Sequence, residues 1–173
     1  MFLHQQKAPW RCFIVSVTLA ILSACSTEGQ FAQNGAPNGK VVTGKVAALI
    51  VEAPNSDEAS VAVKLRGEVA TQLLGAGMFS SIVDPNTGGA DCTITVKLTK
   101  VGEVSGVSRV MFGALAGRNT IEGLVTVTDG KTNQTLRSFT FTGASASHPF
   151  SGKSDIKDAE EKAAEEIIAG LKG

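Results

Sequence analysis

Asp91 to Thr99, DCTITVKLT, is the stretch that decides the fold. Cys92, Ile94, Val96 and Leu98 alternate with Thr93, Thr95, Lys97 and Thr99. A period of two with one polar side is the pattern of a β-strand whose sheet is covered on one face and open on the other. Cys92 falls on the inward register, where a thiol serves as a small buried hydrophobe.

The elements on either side agree with such a sheet. Val41 to Val51, VVTGKVAALIV, is apolar and β-branched and predicts a first strand, closed by Pro54. Asp57 can cap a helix running to about Leu74, in which Ala62, Leu65, Val69 and Leu73 recur at helical spacing. Gly75 and Gly77 end it, and Met78 to Val83 predicts a short second strand. Beyond DCTITVKLT, Thr120 to Thr128 and Leu136 to Thr142 predict a fourth and a fifth strand. Asp129-Gly130 opens the turn between them, with a loop longer than two residues. Ser154 to Leu171 predicts a last helix, capped by Ser154 or Asp155. Its buried stripe is Ile156, Ala159, Ala163, Ile167 and Leu171, and its solvated side carries Glu160, Glu161, Glu165 and Glu166. The order β-α-β-β-β-β-α predicts an α+β two-layer sandwich. It has a mostly antiparallel sheet of about five strands, with two helices on one face. The first β-α-β unit can pair in parallel through a right-handed crossover.

The N-terminus has a different logic. His4, Lys7 and Arg11 precede the apolar run Cys12 to Leu22, and no acidic residue occurs before Glu28. The run has the length of a secretory core and is too short to span a bilayer as a helix. Leu22-Ser23-Ala24-Cys25 resembles a bacterial lipobox, which implies a signal peptide over 1–24 and acylation of Cys25. Each buried CH2 adds ~0.8 kcal/mol, so two or three acyl chains anchor a protein stably. Ser26 follows the cysteine in place of an aspartate, and by that resemblance the destination is the outer membrane, with the domain facing the periplasm. Residues 25–40 are rich in Gly, Asn and Gln and predict a flexible tether. Its coil reach is about 20 Å. A single globular domain follows over 41–173.

Composition narrows the chemistry. Loss of Lys7 and Arg11 with the leader takes the 16 basic residues to 14 against 16 acidic ones, a net charge of −2. Phosphate backbones need clustered Lys and Arg, so nucleic acid is not an expected partner. With Cys12 removed and Cys25 acylated, Cys92 is the remaining thiol and no internal disulfide can form. His148 is the one mature histidine, which leaves a Cys/His metal site without ligands, and no cofactor is implied.

Two segments invite a sharper reading. Ser147 to Ser154, SHPFSGKS, ends like a phosphate loop, but Ser147 replaces its first glycine and Pro149 removes a backbone donor. The nearby Gly143-Ala-Ser-Ala-Ser147 lacks the final glycine of a nucleophile elbow, and His148 lies on the same loop. Ser108 to Asn119, SRVMFGALAGRN, sets Phe112 and Leu115 among glycines between Arg109 and Arg118. Phe112 and Leu115 either tuck into the core under the sheet edge or form an exposed contact surface with Arg109 and Arg118, toward lipid headgroups or another envelope protein.

The segments LLGAGMFSSIVD, ADCTITVKL, RVMFGALAGR and VTVTDGKTNQTLRSFTFTG together resemble the bacterial lipoprotein family known as domain of unknown function 4410. That resemblance implies a lipoprotein and carries no established activity. The expectation is a lipid-anchored envelope protein that binds or scaffolds and is not an enzyme. The alternative is an envelope hydrolase or small-ligand enzyme using the Ser147–Ser154 loop.

Overall fold

The computed structural model describes residues 28–33, 42–104, 108, 117–145 and 156–173. Strands β1 (Glu28–Gln33), β2 (Val46–Glu52), β3 (Ser81–Val83), β4 (Cys92–Gly102), β5 (Thr120–Asp129) and β6 (Thr135–Ala144) form one sheet in the order β1-β6-β5-β4-β2-β3. Helices α1 (Ala59–Gly75) and α2 (Ile156–Lys172) pack on each other and on the same face. The fold is the expected α+β sandwich with one strand more. The sheet is mixed: β2 runs parallel to β3 and to β4, while β4–β5, β5–β6 and β1–β6 are antiparallel.

The core follows the predicted alternation. Cys92, Ile94, Val96 and Leu98 of β4 are all buried and face Ile121, Val125 and Val127 of β5, Ala47 and Leu49 of β2, and Phe139 and Phe141 of β6. The period of two breaks where the register shifts between Leu98 and Lys100, at a bulge that returns Val101 to the pairing opposite Ile121. On α1 the buried residues are Val61, Ala62, Leu65, Val69 and Leu73. A fully buried leucine such as Leu49, Leu65 or Leu73 contributes roughly 1.5–3 kcal/mol relative to exposure.

Glycine decides how closely the layers approach. Gly143 faces α2, and a Cβ there would lie 2.4 Å from the Ala163 nitrogen and 2.6 Å from the Ala159 oxygen. Gly170 of α2 makes room for the Phe139 ring in the same way. At the end of α1, Gly77 has φ +65. Gly77 N–H donates to the Leu74 carbonyl and Met78 N–H to that of Leu73, a Schellman closure that satisfies two late helix carbonyls.

Four expectations need correction. Residues 28–33, expected within the flexible tether, form β1 and pair in register from Glu28↔Ala144 to Gln33↔Phe139. An edge strand is held by backbone hydrogen bonds, which leave little trace in side-chain composition. The first strand begins at Val46 rather than Val41, because Val42 N–H donates to the Leu171 carbonyl of α2 and Gly44 N–H to that of Met78. Asp57 does not cap α1; Asn55 Oδ1 accepts the Glu58 N–H at 3.1 Å instead. Glu160 is buried, at 5 % exposure, rather than on the solvated side. α2 has two partners, so its stripe widens: Ala159, Ala163 and Gly170 lie against β6, while Glu160 turns to the groove beside α1. The N-terminal cap expected from Ser154 or Asp155 lies outside the described residues.

Candidate functional site

Strand directions give the sheet two ends. One carries Glu28, Gly102, Thr120 and Ala144, and the start of α2 at Ile156 follows from β6. The other carries the Asp129–Thr135 turn, the start of β4 and the end of α2, which Arg137 holds.

At the first end a buried polar clamp gathers three chain segments. Asn119 Oδ1 accepts the Val104 N–H at 2.7 Å, where the chain leaves β4. Asn119 N–H donates to Ser145 Oγ at 3.1 Å, and Ser145 N–H donates back to the Asn119 carbonyl at 2.9 Å. Both residues are buried, Ser145 completely. In an interior of low dielectric such a satisfied network is rigid and costly to break. Gly117, two residues earlier, has φ +91 and lets the returning chain turn into β5. Sequence reading weighed Ser145 only as the centre of an incomplete nucleophile elbow and gave Asn119 no role; the structure buries Ser145 completely, with Oγ accepting the Asn119 N–H. The available signal was a lone amide and a hydroxyl set directly at strand ends.

Arg118 is half-buried beside this clamp. Arg109, Phe112 and Leu115, the other members of the expected contact surface, lie outside the described residues, as do Cys25 and the Ser147–Ser154 loop with His148. The structure therefore places one of the five singled-out residues, Arg118, at the root of the excursion between β4 and β5.

The second end is tied by carboxylates. Asp91 Oδ2 accepts the N–H groups of Lys45 (2.7 Å) and Val46 (3.0 Å), which hold its carboxyl below the usual range. Asp129 Oδ1 accepts from Thr132 N–H (2.8 Å), Lys131 N–H (2.9 Å) and Thr132 Oγ1 (3.0 Å), with the same consequence. Arg137, buried in β6, donates from Nη1 to the Gly170 carbonyl at 2.6 Å and caps the last turn of α2. The Cys92 thiol is pushed up to about 11 by burial and then by the Asp91 and Asp129 charges, which suits an inert core residue. Among the described residues no three His, Cys, Asp or Glu side chains come together as a metal site, and no helix is long and apolar enough to cross a membrane.

The two faces of the sheet differ. The helices cover the inward face. On the other, Val46, Ile50, Thr93, Thr95, Leu124, Thr126, Thr140 and Thr142 are half-buried, with Thr93 opposite Thr128 and Thr95 opposite Thr126. Among the described residues no helix packs there. An open groove of about 420 Å3 also runs between the helices, bordered by Val63, Lys64 and Gly67 of α1 and Lys157 and Glu161 of α2, with Glu160 in its lining. Paired charges surround Glu160 on α2: Lys157 with Glu161, and Lys162 with Glu165 and Glu166.

Residues 50–149 match the model of a protein family described as Domain of unknown function (DUF4410). No curated protein sequence matches the chain. Among solved structures, a PelC dodecamer from Paraburkholderia phytofirmans aligns with 14% identity and a TM-score of 0.57, over 84% of this chain and 98% of that one. A leucine-to-methionine variant of the same assembly gives 13% and 0.59, over 84% and 99%. Protein XCC0632 from Xanthomonas campestris aligns with 14% identity and a TM-score of 0.48, over 80% of this chain and 87% of that one. At such identities the likeness is one of fold.

Proposed function

Because the chain belongs to the DUF4410 family, whose description assigns no activity, we propose from its own residues that it is a lipid-anchored cell-envelope protein. In this reading it acts as a non-enzymatic binding or scaffolding module and associates with copies of itself. The observation that carries the binding role is the half-covered sheet: a broad face of threonines with Val46, Ile50 and Leu124, opposite the helices. The same face carries Lys97 and the Lys100–Glu122 ion pair (2.8 Å), and a mixed strand surface of threonine, aliphatic and paired charged side chains suits protein contact better than acid–base chemistry. The PelC structures of the same fold are dodecamers, which supports self-association. The anchor rests on Leu22-Ser23-Ala24-Cys25, and Ser26 after it supports the outer membrane.

Two measurements test the reading. The Cys25→Ala protein, once freed of its leader, is expected to leave the membrane fraction. Retention there would refute the anchor. Light scattering on the detergent-solubilised chain is expected to give an oligomer that Thr126→Arg, at a half-buried outer position, converts to monomer. A monomeric wild type refutes self-association, and an assembly unchanged by Thr126→Arg removes the sheet face as its basis. The hydrolase alternative predicts an activity lost in the His148→Ala, Lys153→Ala variant.

A further inference from the structure

We infer that the end of the sheet carrying Glu28, Gly102, Thr120 and Ala144 faces the lipid bilayer, so that the domain stands on the membrane with its strands pointing away from it. The inference rests on the proposed acylation of Cys25 and deepens it from an anchor to an orientation. Its starting point is the β1–β6 register, in which Glu28 pairs with Ala144 and Gln33 with Phe139. Only Ser26 and Thr27 separate Glu28 from Cys25. Three residue steps span at most about 11 Å. The lipid-bearing residue therefore cannot move freely around the domain, as a tether of 25–40 would allow. It is confined to one end of a sheet whose opposite end lies about 30 Å away along β5, at ~3.3 Å per residue.

Everything else that leaves this end leaves beside the anchor. β4 ends at Gly102 opposite Thr120, where β5 begins, and Glu28 and Thr120 both pair with Ala144. The Asn119 clamp ties Val104 and Ser145 to the same point. The chain also departs after Val104 and returns at Gly117 at this end. The exposed Glu103 adds negative charge to this end, so the short covalent link, rather than charge attraction, sets the orientation.

Depth-dependent quenching reads this directly. Glu103 lies just past β4 and Lys131 in the turn after β5, and both are exposed. A maleimide fluorophore is placed on Glu103→Cys or Lys131→Cys, in a Cys92→Ala background, on the mature acylated chain. The protein sits in phosphatidylethanolamine–phosphatidylglycerol vesicles that carry a headgroup nitroxide. Quenching at position 103 is expected to exceed that at 131 at least twofold. A flexible Gly-Ser insert of about twenty residues after Ser26 gives a coil reach near 25 Å and is expected to abolish that difference. Equal quenching, or stronger quenching at 131, with Cys25 shown acylated by mass spectrometry, overturns the orientation alone. An unchanged difference in the insert variant overturns the role of the short link. An unmodified Cys25 overturns the anchor, and the orientation with it.

Discussion

Gly143 of β6 lies directly under the Ala159–Ala163 turn of α2, so close that a Cβ on Gly143 would stand 2.4 Å from the Ala163 nitrogen. The helix meets the sheet backbone to backbone here, and nothing flexible can yield. Gly143→Ala is expected to lower unfolding stability by about 1–3 kcal/mol through overpacking. Gly67, exposed in mid-α1 with nothing within 4 Å, is the internal comparison. Gly67→Ala is expected to raise stability by about 0.5–1 kcal/mol. Urea denaturation of the two variants checks both signs, and a neutral Gly143→Ala would refute the close approach.

Arg137 is a second tie between β6 and α2. Its Nη1 donates to the Gly170 carbonyl from a buried position, so Arg137→Ala leaves the helix end without that charged partner. A loss of about 1.5–3 kcal/mol is expected. Arg137→Lys should recover only part of it, since an ammonium lacks the planar fork. Hydrogen exchange in the last turn of α2 should accelerate in the alanine variant before the rest of the helix.

Asn119→Ala removes the acceptor of the Val104 N–H within a buried network. A cost of roughly 1–3 kcal/mol is expected for the unsatisfied group. Limited proteolysis should then cut first between β4 and β5. Cleavage there as slow as in the wild type would refute the clamp.

Acid should weaken the end of the sheet opposite the clamp. Asp91 and Asp129 both have folded-state pKa values below the ordinary carboxylate value, through backbone N–H donors. Their contribution is therefore present above the unfolded pKa, about 3.9, and is lost as pH falls through the lower folded values. Stability should decline as pH drops from about 5 toward 2, and the slope should be shallower in Asp91→Asn. A slope unchanged by that substitution would refute the assignment to Asp91.

Cys92 should be silent toward thiol reagents in the folded protein. With the thiol pushed up to about 11, roughly one molecule in a thousand carries the thiolate at pH 8, and the side chain is buried as well. Alkylation is expected to follow global unfolding, reaching completion only in denaturant. Rapid native-state labelling would contradict the burial.

Much of this was legible in advance. Alternation over 91–98 identified an inward face that the structure buries residue by residue, and the stripe Ala62, Leu65, Val69 and Leu73 marked the inner side of α1. These patterns are local: a strand or helix with one buried face must repeat at its own period. Glu160 shows the limit. Its position on the helix wheel looks solvated until α1 lies beside it. Arg137 is likewise a polar residue in a strand until the end of α2 arrives above it.

The sequence by itself determined the order of the five core strands and two helices and most of the inward set of side chains. Only the tertiary structure decided that β2 sits between β3 and β4 and that Glu28–Gln33 joins the edge beside β6. The physical reason is the nature of the bond involved. Burial of a face is written in side-chain periodicity, whereas the choice of strand neighbour is made by backbone groups that every residue but proline carries alike.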